Sequence, residues 1–449
     1  MPDLPRILIL GGGFGGLVAA QTLKRAPARI TLLDKRNFHL FQPLLYQVAT
    51  GSLSPGEIAA PLRSVLSRQK NTEVLLGEAV DLDPVAKSVT LSDGAVFPYD
   101  MLIIATGSET SYFGKNQWRD VAPSLKTIEE ATAIRHKLLF AFERAERSST
   151  QAEARAWLTF VIVGAGATGL ELAGALAEIA RQTLRHDFRR IRPQEARIIL
   201  MEGGPRVLPA YPEDLSAKAE ALLTRLGVEV HKNTFVTNIT AGGLDFKCAG
   251  ATSHLDAKTV LWTGGVDATP FGRRVAERTR AETDPTGKIK VNPDLTIPNF
   301  PDIFIVGDLA HIATRSAAPL GRHEQLAAGK GKLLPGVAQV AIQGGRYASK
   351  VILARLSGKP APPPFHYINK GDMAVIGRAA AVANILGFHV SGLPAWLIWL
   401  FIHLMYIVEF QSRVLVFIQW GFLYLTYNRG ARLITGSPDS ESSVPPPHN

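Results

Sequence analysis

Ile7-Leu-Ile-Leu-Gly11-Gly-Gly13-Phe-Gly-Gly16 is an apolar run that enters a glycine-rich turn, and an Ala/Leu-rich stretch then leads to a second apolar run, Ile30-Thr-Leu-Leu-Asp34. The pattern predicts strand, tight turn, helix and strand. Gly11, Gly13 and Gly16 match G-x-G-x-x-G. In that fingerprint the first glycine makes the turn, the second lets the backbone approach a pyrophosphate, and the third packs helix on strand. Asp34 ends the next strand, 18 residues past the last glycine, where a carboxylate can accept hydrogen bonds from a ribose diol.

The arrangement recurs. Phe160-Val-Ile-Val-Gly164-Ala-Gly166-Ala-Thr-Gly169 again leads through a predicted helix to a strand, Ile198-Ile-Leu-Met-Glu202. Here Glu202 ends the strand. A carboxylate at that place binds a ribose 2′-OH and repels a 2′-phosphate, which favours NADH over NADPH, although Arg206 lies close in sequence. Between helix and strand, Arg181 to Arg197 reads as a basic, helical extension. One such site suggests a dehydrogenase, whereas two in one chain suggest a nicotinamide that hands a hydride to a flavin. A third apolar strand, Asp302-Ile-Phe-Ile-Val-Gly307-Asp308, precedes a predicted helix from Pro335 to Leu356.

The chain has 449 residues, 46% of them hydrophobic and 20% charged, enough for two to four domains with their own cores. One cysteine, Cys248, excludes an internal disulfide, a CxxC pair and a cysteine-ligated cluster. It reads as a buried small hydrophobe. The histidines show no metal-ligand spacing, so no metal is expected. The net charge of +10 favours an anionic partner. No nucleic-acid reader module is recognisable, and the charged Arg181–Arg190 stretch reads as a solvated face.

Several motifs narrow the reading: Ile103-Ile-Ala-Thr106-Gly107, Trp262-Thr-Gly264-Gly265, Phe41-Gln-Pro-Leu-Leu-Tyr-Gln-Val-Ala-Thr-Gly51, Met201-Glu-Gly-Gly-Pro-Arg206, Pro335-Gly-Val-Ala-Gln-Val-Ala-Ile-Gln343 and Gly371-Asp-Met-Ala-Val-Ile-Gly377. In this order, and with the aromatic Trp396 to Leu433 region, they resemble the type II (non-proton-pumping) NADH:quinone oxidoreductases, two-dinucleotide-binding-domain flavoproteins. The resemblance implies an α/β fold with two Rossmann-like domains, for FAD and NADH, and a C-terminal helical membrane-anchoring region.

It further implies that FAD is held by Gly11, Gly13, Gly16, Asp34, Thr106, Gly107, Gly307 and Asp308, and that NADH lies along Gly164, Gly166, Gly169 and Glu202. Glu171 matches a family carboxylate near the nicotinamide and would position it or handle protons. An acid in the first turn of a helix is also favoured by the macrodipole alone. Gln339 and Gln343, four apart on one helix face, would border the quinone. Lys370 is a further quinone-side cation, and Pro335 would place a helix N-terminus against the reduced flavin. The implied domains are 1–120 and 266–358 for FAD, 121–265 for NADH, 359–435 for the membrane and a disordered tail at 436–449. A lone cysteine excludes the thiol-dependent relatives. The rival readings are an FAD/NAD(H)-binding redox sensor and a reductase of the same fold with a soluble acceptor.

Leu393 to Val408 and Val414 to Tyr427 are apolar but each shorter than the roughly 20 residues that cross a bilayer. They predict two interfacial helices around a polar hinge, Glu409 to Arg413. Trp396, Trp399, Tyr406, Trp420, Tyr424 and Tyr427 would sit at headgroup level, and Arg413, Arg429 and Arg432 would meet lipid phosphates. Part of this surface would serve a homodimer. The expected location is peripheral, on the cytoplasmic face of the cell membrane.

Overall fold

The computed structural model describes residues 4–313, 333–427 and 429–435. The tail expected at 436–449 lies outside these residues. The chain divides into two compact units, each assembled from three stretches of sequence.

The first unit comprises the residues up to Phe41, Ala59–Ser111 and Gly265–Lys370. Its main sheet has six strands in the order Thr296–Ile297, Phe300–Ile305, Met101–Ile104, Arg6–Leu10, Arg29–Asp34 and Thr72–Leu76. All neighbours are parallel except the first pair. Helices cover a parallel sheet on both faces, which is why Ile7 to Leu10 and Met101 to Ile104 are continuous buried apolar runs. The helices Phe14–Thr22 and Ala338–Leu356 pack side by side. Their approach is close enough that a side chain on Gly345 would strike the Gly15 carbonyl, and the Ser349 hydroxyl is within 3.2 Å of the Ala19 carbonyl it donates to.

The predicted start at Pro335 is corrected: the helix begins at Ala338, with Val337 at its N-cap. Leu333 bridges Ala313, and Leu334 donates to the Ile312 carbonyl. The chain therefore has to turn at Pro335–Gly336 before helical geometry can begin.

The second unit comprises Gln42–Ile58, Tyr112–Gly264 and the residues from Gly371 onward. Its parallel sheet runs Val228–His231, Arg197–Met201, Thr159–Val163, Thr259–Trp262, again with the fingerprint strand inside. Two three-stranded antiparallel sheets accompany it, Thr234–Asp256 and Asp372–Gly392, and the second leads into the helices Leu393–Tyr406 and Phe410–Thr426. The break between those helices is Ile407 to Glu409, so Gln411, Ser412 and Arg413 belong to the second helix rather than to a hinge.

Two further expectations fail here. The basic stretch after Arg181 is not a helical extension. The fingerprint helix ends in a single wide turn, Ile179–Thr183, and the Glu146 carboxylate collects the backbone N–H groups of Arg189, Arg190 and Ile191 at 2.9–3.0 Å. An external acceptor thus satisfies the donors that a helix would have used. Cys248 is exposed, because it ends the Gly243–Cys248 strand where the antiparallel sheet runs out into solvent.

Candidate dinucleotide and acceptor sites

In the first unit the strand ends converge on one edge, because Arg6–Leu10, Met101–Ile104 and Phe300–Ile305 are parallel neighbours. Gly11, Thr106–Gly107 and Gly307–Asp308 follow them directly. Gly11 turns with φ +100°, a conformation that strains any other residue. A methyl group on Gly16 would collide with the Gly11 carbonyl. Gly13 is different: its φ is −69°, open to every residue, and no protein atom lies within 4 Å of where a side chain would start. The fold itself does not need a glycine there. What it leaves is open space before an uncapped helix N-terminus, which fits a pyrophosphate held by backbone N–H groups.

The second unit repeats each term. Gly164 has φ +103°, a side chain on Gly169 would strike the Gly164 carbonyl, and Gly166, at φ −71°, faces open space. The carboxylates correspond as well. Asp34 accepts from the N–H of Gly12 at 2.5 Å and of Arg36 at 2.7 Å. Glu202 accepts from the N–H of Ala165 at 2.8 Å and of Gly204 at 2.8 Å. Each ties the glycine turn to the chain two residues further on and keeps lone pairs for a ribose. Burial raises the Asp34 carboxyl above its usual range, against these hydrogen bonds. Arg206, whose role beside Glu202 the sequence left open, donates to the carbonyls of Tyr211 at 2.6 Å and Pro209 at 2.8 Å. It is engaged in holding its own loop.

Asp308 accepts from the Ser108 hydroxyl at 2.8 Å, which joins the Gly107 and Gly307 turns. Gln339 and Gln343 do share a helix face. Gln343 grips the backbone of Ile368 with both ends of its amide, at 2.9 and 3.0 Å, and Gln339 accepts from Lys370 N–H at 3.3 Å. Both glutamines therefore position the 368–370 segment.

Glu171 lies in the second turn of the Ala167–Glu178 helix, not the first, so the macrodipole does not account for it. It borders a pocket of about 70 Å³ that is built entirely within the second unit. The C-terminal helices supply Trp396, Trp399, Trp420 and Tyr424, and the fingerprint helix supplies Glu171, Ala175 and Glu178. These apolar surroundings push the Glu171 carboxyl up to about 8 through desolvation, with a weak opposing bond from Val375 N–H at 3.4 Å.

At the pocket floor Arg429, 3% exposed, pairs with Glu178 at 3.0 Å and donates to Thr50 at 3.1 Å and to Ser52. The lipid-facing role expected of Arg429 is thereby corrected. Trp399 and Trp420, also expected at the headgroups, are 2% and 5% exposed and pack on each other at 5.2 Å. Trp420 donates to Gln47 at 2.7 Å, and Gln47 donates to the Tyr46 hydroxyl at 2.9 Å. Sequence reading missed Tyr46, Gln47 and Glu178 as site residues. The first two lie in the quoted Phe41–Gly51 motif, but nothing local signals their partners, which are more than 350 residues away for Gln47. Among the described residues no group of histidine, cysteine and acidic side chains has the arrangement of a metal site.

Gly13→Ala should change the stability of the ligand-free protein by no more than about 1 kcal/mol, because the unfolded-state gain is opposed by the N-cap preference for glycine, while weakening dinucleotide retention. Gly16→Ala should cost about 1–3 kcal/mol by overpacking and weaken retention too. Calorimetry and the absorbance of retained ligand check both, and a Gly13→Ala protein that keeps its ligand overturns the assignment.

Comparison with known proteins agrees with this geometry. Residues 5–345 match the family model described as pyridine nucleotide-disulphide oxidoreductase. The chain is 42% identical to the type II NADH:quinone oxidoreductase Ndh of Mycobacterium tuberculosis, over 97% of this chain and 91% of that protein. Its identity to NdhA, a type II NADH:quinone oxidoreductase of the same organism, is 43%, over 96% and 89%. The fold is similar to that of NDH2 from Plasmodium falciparum solved in complex with NADH, with a TM-score of 0.87 at 21% identity, covering 95% of this chain and 99% of that one. The repeated fingerprint, the order of the motifs and an identity that spans nearly the whole of both chains lead to one assignment: this chain belongs to the type II NADH:quinone oxidoreductases, within the pyridine nucleotide-disulphide oxidoreductase family.

Proposed function

We propose that this protein is an FAD-dependent NADH dehydrogenase that passes a hydride from NADH to FAD and two electrons on to a membrane quinone, without pumping protons. The observation that carries the reading is the pair of glycines, Gly13 and Gly166, each facing open space at a helix N-terminus in a repeated fingerprint, where a closely approaching pyrophosphate fits. Bound FAD supplies the two-electron relay between nicotinamide and quinone. Gly11, Gly13, Gly16, Asp34, Thr106, Gly107, Gly307 and Asp308 hold it, in a domain made of 1–120 and 266–358. Gly164, Gly166, Gly169 and Glu202 hold NADH, in 121–265. With both Glu202 oxygens taking backbone N–H groups, the carboxylate is fixed where a 2′-phosphate would have to sit, which supports the preference for NADH.

On the acceptor side, the aromatic pocket of the second unit takes the quinone ring. Its walls are flat and apolar, and Glu171 is a carboxylic acid at neutral pH that can donate a proton. Gln339, Gln343 and Lys370 act in the first unit, where the two glutamines set the course of the Ile368–Lys370 backbone. Gln343 still has one N–H and one lone pair to offer.

Residues 359–435 anchor the protein to the membrane. No helix among the described residues is long and apolar enough to cross one. The two C-terminal helices have 14 and 17 residues, about 21 and 26 Å at 1.5 Å per residue, against a hydrocarbon core of about 30 Å. Their outer face is apolar: Phe401, Phe417, Phe422 and Leu425 are 56–77% exposed. Such a continuous surface suits the lipid interface, and a homodimer would draw on part of it. The attachment is peripheral, on the cytoplasmic face where NADH is supplied.

Three measurements test this reading. Without oxygen, NADH should bleach the flavin band of the detergent-purified protein and a short-chain quinone should restore it; recovery with ferricyanide but not with any quinone overturns the acceptor assignment. Because Glu171 loses its proton as pH rises through about 8, quinone-linked kcat should fall above that pH. Glu171→Gln should lower kcat by about 100-fold and remove the inflection, and an unchanged pH profile would exclude the role. Replacing Phe401, Phe417 and Leu425 together by serine should release the protein from lipid vesicles, each ring or branched chain contributing about 1.5–3 kcal/mol when buried; sedimentation with vesicles at the wild-type level removes the anchor.

A further inference from the structure

Resting on the assignment of the aromatic pocket to the acceptor, one charge in that pocket stands out. Arg378 lines it, and its guanidinium lies 4.2 Å from the ring centre of Tyr424 and 4.4 Å from that of Tyr427. Both distances are within the range of a cation held by aromatic faces. Its backbone is fixed, since its N–H donates to Glu178 at 2.5 Å. The side chain is not: among the described residues its guanidinium makes no hydrogen bond or ion pair. The anions nearby are already used. Glu178 takes Arg429 with its other oxygen, and Glu171 carries a proton at neutral pH.

The result is a planar cation with five N–H donors, oriented by two rings, at the edge of a pocket whose own acceptors are committed elsewhere. A ligand that fits must bring an acceptor oxygen on a flat, apolar frame. A ring with opposed carbonyl groups does so, and its oxygens become stronger acceptors as the ring gains electrons. We infer that Arg378 is the acceptor-binding residue of this enzyme, donating from its guanidinium to a ring carbonyl of a quinone lodged beside Tyr424 and Tyr427.

The test uses the full-length holoenzyme in detergent, with a short-chain ubiquinone analogue and ferricyanide as alternative acceptors. Loss of one hydrogen bond to a charged group corresponds to about 10- to 150-fold in affinity. Arg378→Gln should therefore raise the quinone KM by about tenfold or more and leave the KM for NADH and the ferricyanide rate unchanged. Arg378→Lys, which keeps the charge, should recover part of the loss. Leu423→Trp, which fills the pocket from its wall, probes the pocket independently of Arg378. If Leu423→Trp raises the quinone KM and Arg378→Gln does not, the role of Arg378 is overturned while the pocket stands. If neither changes it, the pocket assignment falls as well. Arg378→Gln that slows flavin reduction by NADH marks a purely structural residue. Arg378→Gln that weakens binding to phosphatidylglycerol vesicles at unchanged quinone KM marks a lipid contact. Either result overturns the inference.

Discussion

Each nucleotide-binding half of this protein depends on one carboxylate at the end of a buried parallel strand. Asp34 and Glu202 accept an N–H from inside the glycine turn and another from the chain beyond the strand. A fingerprint turn exposes its backbone donors by design, and a flexible turn would collapse on them. The carboxylate holds the turn open at one side, while the third glycine, Gly16 or Gly169, lets the helix press against the turn at the other. The helix N-terminus is then presented to solvent with its donors unused, ready for an anion. One extra methylene in Glu202 changes the reach, not the arrangement.

The aromatic pocket of the second unit rests on a different contact, the buried Glu178–Arg429 pair. A buried ion pair adds little to stability by itself, yet removing one partner strands a charge and costs about 3–5 kcal/mol. Here the pair joins the segment that follows the two C-terminal helices to the end of the Ala167–Glu178 helix, and the Arg378 backbone closes on the same carboxylate. Thr50 and Ser52 also accept from the guanidinium, whose Nε has no partner among the described residues. The aromatic pocket consequently has a polar, ion-paired floor and apolar walls, a combination that keeps its shape without filling it.

Much of this was legible in the sequence because it is local. Strand, glycine turn, helix and terminal carboxylate lie within some 40 residues, and their spacing carries the geometry. The C-terminal helices were legible too, from length and composition. Composition could not say which of their residues face inward. Trp399, Trp420 and Arg429 have the chemistry of membrane-surface residues, but Gln47 and Glu178, hundreds of residues earlier, turn them into core. Glu171 reads as an N-terminal helix acid until the helix start is known to the residue. Pro335 reads as a helix start until Leu333 and Leu334 are seen bound to Ile312 and Ala313. For the tryptophans, Arg429 and Pro335 the deciding contact is long-range, and sequence periodicity does not encode it.

The placement of Arg429 also bears on how the protein is made. The second unit gathers residues 42–58, 112–264 and those from 371 onward, so the Glu178–Arg429 contact closes across 251 residues of sequence. During synthesis, at about 5–20 residues per second, Glu178 and Gln47 emerge long before Arg429 and Trp420, their partners, which follow the whole of the first unit. The pocket wall and the apolar outer face of the two C-terminal helices are supplied by the same stretch of chain. A nascent chain thus exposes its apolar hairpin only when the floor beneath it is ready to lock, which shortens the interval in which that surface could aggregate.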